Sequence, residues 1–456
     1  MTRSRKAWTS FLLTRVGGFL IDLAALAFSY FGAFVLRFEF QSPRWGWRAV
    51  AFSFIVVAVV HFAAFVASGG YSVSWRRFRW RDLRRFVIAI AAACVVMTAM
   101  RAFLPYEDLA HIRPPFSITL ITFLLVTVTV TGWRMVWSWL ALSRADDEKL
   151  LEREVRTMDA APTLEFFRGR TVMVTGAGGS IGSEIVRQLS SMNVARIVLV
   201  ERCEKNLYDI DRELRGLGFR DFVPLMKDAG SQKSMSEVLE KYRPEVILHA
   251  AAYKHVPMVE ANPEEAWRNN TEATASLAAL AVNFGVKRFV LISTDKAVNP
   301  VSVMGRTKLA AEREVMKLNG GECSFCAVRF GNVLGSSGSV VPLFREQIAK
   351  GGPVTVTDER MMRYFMSIRE AVGLVLQAAT RSECAIYTLD MGKPVKIVDL
   401  AEDMIRQMGY KPYVDIPIVF TGMRPGEKLF EELDISEKSA YRTEMAKIYI
   451  KKENNT

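Results

Sequence analysis

Cysteine is scarce, with five in 456 residues, at positions 94, 203, 323, 326 and 384. So few, so scattered, exclude a disulfide framework and point to free thiols in a reducing compartment. Cys323 and Cys326 have the spacing of a metal or redox pair, but no second pair and no histidine lies near them. Cys326 also opens the apolar run Cys326–Phe330, so the pair is read as part of a strand and no metal site is expected. Acidic residues are scarce in one region only. Residues 1–145 hold 17 Lys/Arg against 5 Asp/Glu, whereas the remainder holds 43 of each, so the net charge of +12 belongs to the first third. The part that reads as a folded globular domain is neutral, which argues against a nucleic-acid partner.

Long hydrophobic runs are present. Half of the residues are hydrophobic and the mean hydropathy of +0.13 is high for a wholly soluble chain. Four apolar stretches fall within residues 1–142: Val16–Leu36, Val50–Ala67, Phe86–Met100 and Phe116–Leu140. The first, second and fourth approach the length a helix needs to cross about 30 Å of hydrocarbon. The third has to run on to about Leu104, bringing Arg101 to the interface. A cleaved signal peptide is not expected, since the first stretch is long and three more follow. The segment between the second and third stretches carries Arg76, Arg77, Arg79, Arg81, Arg84 and Arg85 against Asp82, and the amino terminus carries Arg3, Arg5 and Lys6. The positive-inside rule then places both termini in the cytoplasm. Asp22, His61 and Arg134 fall within or near the spans, where structural pairing or snorkelling is expected rather than transport.

Residues 143–168 read as a linker, with a short charged helix at Asp146–Val155 closed by Ala160-Ala161-Pro162. A second domain is expected over 169–438, followed by a tail at 439–456. The domain opens with an apolar strand, Thr171–Thr175, then Gly176-Ala-Gly-Gly179-Ser180-Ile181-Gly182 and an amphipathic helix to about Met192. Gly176, Gly179 and Gly182 allow a tight turn, a close backbone approach to a pyrophosphate, and close helix–strand packing; Ser180 and Ile181 open the helix that faces the phosphates. A second strand, Arg196–Val200, ends at Glu201, where a carboxylate binds the adenosine ribose hydroxyls. A carboxylate repels a 2′-phosphate and favours NAD, while Arg202 beside it keeps NADP open. Runs at Phe222–Met226, Glu245–His249, Arg288–Ser293 and Cys326–Phe330 alternate with helical stretches, as in a doubly wound parallel sheet. Asp228 follows the third strand. Ala250, Ala251 and Ala252 follow the fourth, where small side chains suit either a cofactor or helix packing.

Thr294, Asp295 and Lys296 follow the strand Arg288–Ser293, at the end where open α/β sheets hold ligands. Pro300 ends the loop and a helix is expected from Ser302. On it Met304 and Lys308, four apart, face one cleft. A hydroxyl, a carboxylate and two ammonium groups at one strand end exceed what packing requires.

These motifs resemble the extended short-chain dehydrogenase/reductases. More narrowly, they resemble the bacterial membrane-bound nucleotide-sugar 4,6-dehydratases of polysaccharide biosynthesis (CapD-like). The likeness is carried by Thr175–Glu184, Ala252–Pro257, Ile292–Asn299, Val303-Met304-Gly305, Arg329–Gly338, Arg363–Met366 and Arg424–Lys428, and covers nearly all of 169–435. It implies four transmembrane helices, then an α/β Rossmann-like core binding NAD, with a smaller substrate-binding subdomain. It also implies a UDP-N-acetylhexosamine substrate, a bacterial inner membrane, and a homo-oligomer through the catalytic domain. Asn332, Arg363, Arg424 and Glu427 match family positions that hold the nucleotide diphosphate, Asn270 stands where the family has it, and both Asn270 and Lys254 are candidate substrate contacts; arginine suits phosphate through its fork of donors. Most short-chain dehydrogenases carry tyrosine where this chain has Met304, although the resembled subfamily commonly has methionine.

The implied reaction eliminates water across C5–C6 of the hexose after hydride leaves C4. Lys296 is then the base at C5, its pKa lowered by burial and by Lys308. Asp295 is the acid toward the 6-hydroxyl, Thr294 bonds the C4 oxygen, and Lys308 holds the nicotinamide ribose. A 4-epimerase on the same scaffold and a non-catalytic nucleotide-sugar-binding regulator of polysaccharide assembly stay open. A transporter would need more, and more polar, spans.

Overall fold

The computed structural model describes residues 15–39, 46–68, 80–103, 114–143, 160–436, 439–445 and 447–452. The chain divides into two units, one over Met1–Ala145 and one holding nearly all that follows. The first contains α1 (Arg15–Phe38), α2 (Gly46–Ala67), α3 (Trp80–Phe103) and α4 (Phe116–Ser143). Each includes 21 residues long and apolar enough to cross a membrane. Leu26, Tyr30, Phe34, Val57, Phe65, Phe86 and Val126 fill the space between the helices. Phe28, Val59, Ile88, Val95 and Val128 face outward, so these helices are apolar all round, as membrane spans are.

α3 bears out the expected extension of the third span to about Leu104 and lengthens it at the amino end, its apolar window running Leu83–Phe103. It starts at Trp80 rather than Phe86 and ends at Phe103. The added amino-terminal turn runs into Arg84 and Arg85, both exposed. Asp22 and Arg134 form the expected pair, each 1% exposed, and the Arg134 guanidinium lies 4.2 Å over the Phe86 ring. His61 is buried, with Nδ1 2.8 Å from the Val57 carbonyl oxygen. Arg3, Arg5, Lys6, Arg76, Arg77, Arg79, the Arg81 side chain and the helix expected at Asp146–Val155 lie outside the described residues.

The second unit opens with α5 (Ala160–Phe167), β1 (Thr171–Thr175), α6 (Ser180–Leu189), β2 (Arg196–Glu201), α7 (Glu204–Gly216), β3 (Phe222–Met226), α8 (Gln232–Tyr242) and β4 (Val246–His249). It continues with α9 (Ala273–Asn283), β5 (Arg288–Ile292), α10 (Val303–Met316), β6 (Ser324–Arg329), α11 (Val340–Lys350), α12 (Ile368–Ala379), β7 (Ile386–Leu389), α13 (Ile397–Gln407), β8 (Ala440–Arg442) and β9 (Ile448–Lys451). The sheet order is β8-β9-β7-β6-β5-β4-β1-β2-β3. The strands from β3 to β7 pair in parallel, and β8 and β9 join antiparallel beside β7. Val172 and Val174 of β1 enter one core layer and Met173 the other. Both faces of the sheet are buried, which is why its strands read as unbroken apolar runs. Strand order reverses between β1 and β4, opening a crevice at their carboxyl ends.

Two expected boundaries are corrected. Ala160-Ala161-Pro162 starts a helix rather than ending one, because proline in a first turn forfeits no internal hydrogen bond. Phe167, at the end of α5, is fully buried in the core, so the fold begins before Gly169. The expected tail at 439–456 supplies β8 and β9, with Ile448 and Ile450 buried in the same core. After β6 the chain builds a smaller half from short ladders. Val354–Val356 pairs with Ile418–Phe420, and Met362–Arg363 pairs with Val395–Lys396.

Candidate active site

β1 ends at Thr175 and the chain turns at Gly176 with φ +64°. A Cβ at Gly176 would lie 2.9 Å from the Ala251 backbone, and one at Gly182 only 2.0 Å from the Gly176 carbonyl oxygen. Side chains are excluded at both positions, so α6 packs directly against the end of β1. Gly179, the residue before α6, makes no side-chain cap hydrogen bond, which leaves the first N–H groups of the helix available to an anion. Gly176, Gly179, Ser180, Ile181 and Gly182 line a cavity of about 600 Å³. Ser180 Oγ accepts from the Ser337 N–H at 3.0 Å, tying the loop after β6 to this helix start.

A neighbouring cavity of about 290 Å³ holds Glu201, Asp228, Ala250 and Ala251. Glu201 Oε2 accepts from Gly178 N at 3.1 Å and Oε1 from Cys203 N at 2.9 Å, which fixes the carboxylate at the tip of β2. The Arg202 guanidinium is committed to the Tyr253 ring, 4.7 Å away. Beneath, His249 bridges Thr175 Oγ1 at 2.7 Å and Thr274 Oγ1 at 2.9 Å. Burial pushes His249 down to about 3, so it stays neutral in ordinary buffers. A cradle that a Cβ would fill, free helix N–H groups and a fixed carboxylate fit a dinucleotide.

Thr294, Lys296, Met304, Lys308, Asn332, Arg363, Lys254, Arg424 and Glu427 line a third cavity of about 430 Å³, which shares Ile181 and Ala250 with the glycine-loop cavity. Asp295 does not line it, and its side chain is 0% exposed. Its Oδ1 accepts from Thr294 Oγ1 at 2.9 Å and from Lys296 Nζ at 3.0 Å, while its Oδ2 has no hydrogen-bond partner. The expectation that Asp295 faces the hexose is thereby corrected: the carboxylate sits behind Lys296.

The expected electrostatics are corrected too. Burial alone would lower Lys296, but the carboxylates of Asp295 and Glu431 outweigh it and hold the amine above its ordinary pKa. Lys308 is the depressed one, pushed by burial to about 8 against the opposing charge of Glu312.

The family described as polysaccharide biosynthesis protein matches residues 172–453. The chain belongs to that family. The capsular polysaccharide biosynthesis protein CapD of Staphylococcus aureus is 50% identical over 297 residues, 64% of this chain and 49% of that one. The chain thus spans about half the length of the first curated relatives it matches. The UDP-N-acetylglucosamine 4,6-dehydratase (inverting) of Campylobacter jejuni strain 81-176 is 30% identical over 289 residues, 62% of this chain and 83% of that one. The UDP-glucose 4-epimerase of Rickettsia akari is 31% identical over 291 residues, with the same two coverages of 62% and 83%.

In this polysaccharide biosynthesis protein two expected substrate residues have other work. Asn270 is 0% exposed, and its amide bonds Tyr253 N, Tyr253 O and Thr307 Oγ1 at 2.8, 3.0 and 3.2 Å. It braces the turn after β4 and does not reach the cavity. Arg363 touches the cavity, yet its guanidinium donates to the carbonyls of Met362, Leu429 and Lys428 at 2.7, 3.1 and 2.7 Å.

Sequence reading missed Glu431, 3.6 Å from Lys296 Nζ. It also missed the network under Lys308, where Glu312 accepts from Ser293 Oγ at 2.5 Å and from Arg329 at 2.8 and 2.6 Å. Glu312 lies four residues after Lys308 on α10, and that helical spacing is the one signal that pointed to it.

Proposed function

We propose that this membrane-anchored polysaccharide biosynthesis protein is a UDP-N-acetylhexosamine 4,6-dehydratase. UDP-N-acetylglucosamine is the substrate to test first. Lys296 carries the reading: it stands on the wall of the cavity beside the glycine loop, with Asp295 behind it at 3.0 Å. When bound, a nicotinamide dinucleotide accepts hydride from C4 and returns it to C6. Gly176, Gly179 and Gly182 with the start of α6 would hold its pyrophosphate, and Glu201 would favour NAD by repelling a 2′-phosphate.

Met304 has no proton to move. Lys308, next along the same helix face, takes the C4 hydroxyl proton, and Thr294 holds the C4 oxygen. The ketone at C4 acidifies the C5 hydrogen. Lys296 first releases its resting proton to water in the cavity, and the freed amine takes the C5 proton. The ammonium so formed gives that proton to the departing 6-hydroxyl, and water leaves as the C5–C6 double bond forms; C5 regains a proton, balanced by the one Lys308 took from the C4 hydroxyl, when hydride reaches C6. Lys254, Arg424 and Asn332 receive the nucleotide diphosphate and sugar. The four apolar helices and the arginines between the second and third support a bacterial inner membrane with both termini cytoplasmic.

Detergent-solubilised full-length protein, incubated with UDP-N-acetylglucosamine and NAD, should yield a 4-keto-6-deoxy sugar by NMR. Lys296→Ala should abolish that product while NAD stays bound, and near-normal turnover would refute the assignment. The withdrawal of Asp295 from the wall favours a second reading, 4-epimerisation, which needs no acid at the 6-hydroxyl. A 4-epimer as the sole product selects it.

A further inference from the structure

We propose that Glu431 is a positioning residue for Lys296, a second carboxylate that anchors the catalytic ammonium at the cavity wall against Asp295 beneath it. The inference rests on the dehydratase reading for its consequence and on geometry for its substance. Lys296 Nζ lies 3.0 Å from Asp295 Oδ1, 3.4 Å from Asn332 Oδ1 and 3.6 Å from Glu431 Oε1. The Glu431 side chain is 3% exposed. Its Oε2, like Asp295 Oδ2, has no hydrogen-bond partner. A buried carboxylate oxygen left unpaired is costly, and such groups persist where a neighbouring charge or a mobile proton compensates them.

The placement of Glu431 is built. Arg363 grips the carbonyls of Lys428 and Leu429 and brings Nε to 3.8 Å from Glu431 Oε1. Met362 N donates to Leu429 O at 3.2 Å. The segment that carries Arg424 and Glu427 to the cavity is thus pinned so that its next acidic side chain reaches across to the strand end of the core. Lys296 Nζ, on the cavity wall, thereby has a carboxylate from Glu431 within 4 Å as well as that of Asp295. With Glu431 it is held between two carboxylates and stays in reach of the cavity. The side chain that positions the base therefore comes from the half that receives the nucleotide.

The test is Glu431→Gln in the full-length, NAD-loaded protein. Removing a carboxylate within 4 Å of the amine should move the Lys296 limb of the pH–rate profile downward by about 1–3 pH units. kcat should fall more than KM changes, and Glu431→Asp should restore most of the wild-type limb. A role in packing alone would lower the melting temperature and leave the limb in place. A second readout does not need turnover: reductive 13C-methylation of lysines and NMR titration, with the Lys296 signal assigned by its loss in Lys296→Met. Its midpoint should drop in the same direction in Glu431→Gln. Should that variant fail to fold, the smaller drop expected in Glu431→Asp is read by the same titration. A folded variant with an unmoved midpoint overturns the proposal. If wild type makes no product while the midpoint still shifts, the dehydratase reading fails and the positioning role of Glu431 stands.

Discussion

Lys308 and Lys296 face one cavity, and their surroundings pull their protons in opposite directions. Burial takes Lys308 from 10.5 to about 8. Between those values the unfolded chain still holds a proton that the folded lysine has lost, so this group makes stability rise with pH across that window. Below about pH 8 the folded lysine is charged and the contribution is gone. The stability of wild type relative to Lys308→Met should therefore grow between pH 8 and pH 10, by ~3 kcal/mol at most. Thermal unfolding of both proteins at the two pH values checks it, and parallel behaviour would mean that Lys308 titrates normally. Both lysines and Asp295 were legible in the sequence as a cluster at a strand end. Their proton affinities were not, because Glu431 reaches the cluster from a distant stretch of chain and burial is a property of the packed whole. Asn270 misled for the same reason: a family position shows which residue stands there, not which backbone groups have already claimed its amide.

At the scale of elements, the start of α10 decides how the two lysines meet. Ser302 Oγ accepts from Gly305 N at 3.0 Å and caps the helix. A Cβ at Gly305 would lie 2.2 Å from the Lys296 carbonyl oxygen and 3.0 Å from Pro300 Cβ. The helix is therefore seated directly on the loop that carries Lys296. Gly305→Ala should cost ~1–3 kcal/mol by overpacking and should swing Lys308 away from Lys296. The expected result is a lower melting temperature with kcat reduced more than KM is raised. An unchanged melting temperature would show that the loop yields freely. The strands β1 to β6 were legible to within two residues, since burial on both faces leaves long apolar runs. β8 and β9 were not: three and four residues long, with Ile448 and Ile450 alternating with Tyr449 and Lys451, they offer a period too short to separate from charged chain. The amino end of α3 was hidden by its arginines, whose charge masks the helix they extend.

For the whole molecule, the three cavities of the candidate site are contained within the second unit. Every residue lining the three cavities lies between Gly176 and Glu427, and that unit covers both faces of its own sheet. A fragment from Ala160 to Thr456 should therefore be soluble and bind NAD as the full chain does, by calorimetry. The boundary matters. Phe167 is 0% exposed, and Arg170 lies 4.2 Å over the adjacent Phe166 ring. A fragment starting at Gly169 removes both rings and uncovers the core beneath α5, a loss on the order of 3–5 kcal/mol for a buried phenylalanine. Its melting temperature should fall well below that of the longer fragment, although its cavities are formally intact. Cutting after residue 438 instead strips β8 and β9 from the sheet and bares the β7 edge, so that fragment should aggregate. Equal melting temperatures for the 160 and 169 starts would mean that α5 only leans on the fold, and the domain would then begin at its first strand.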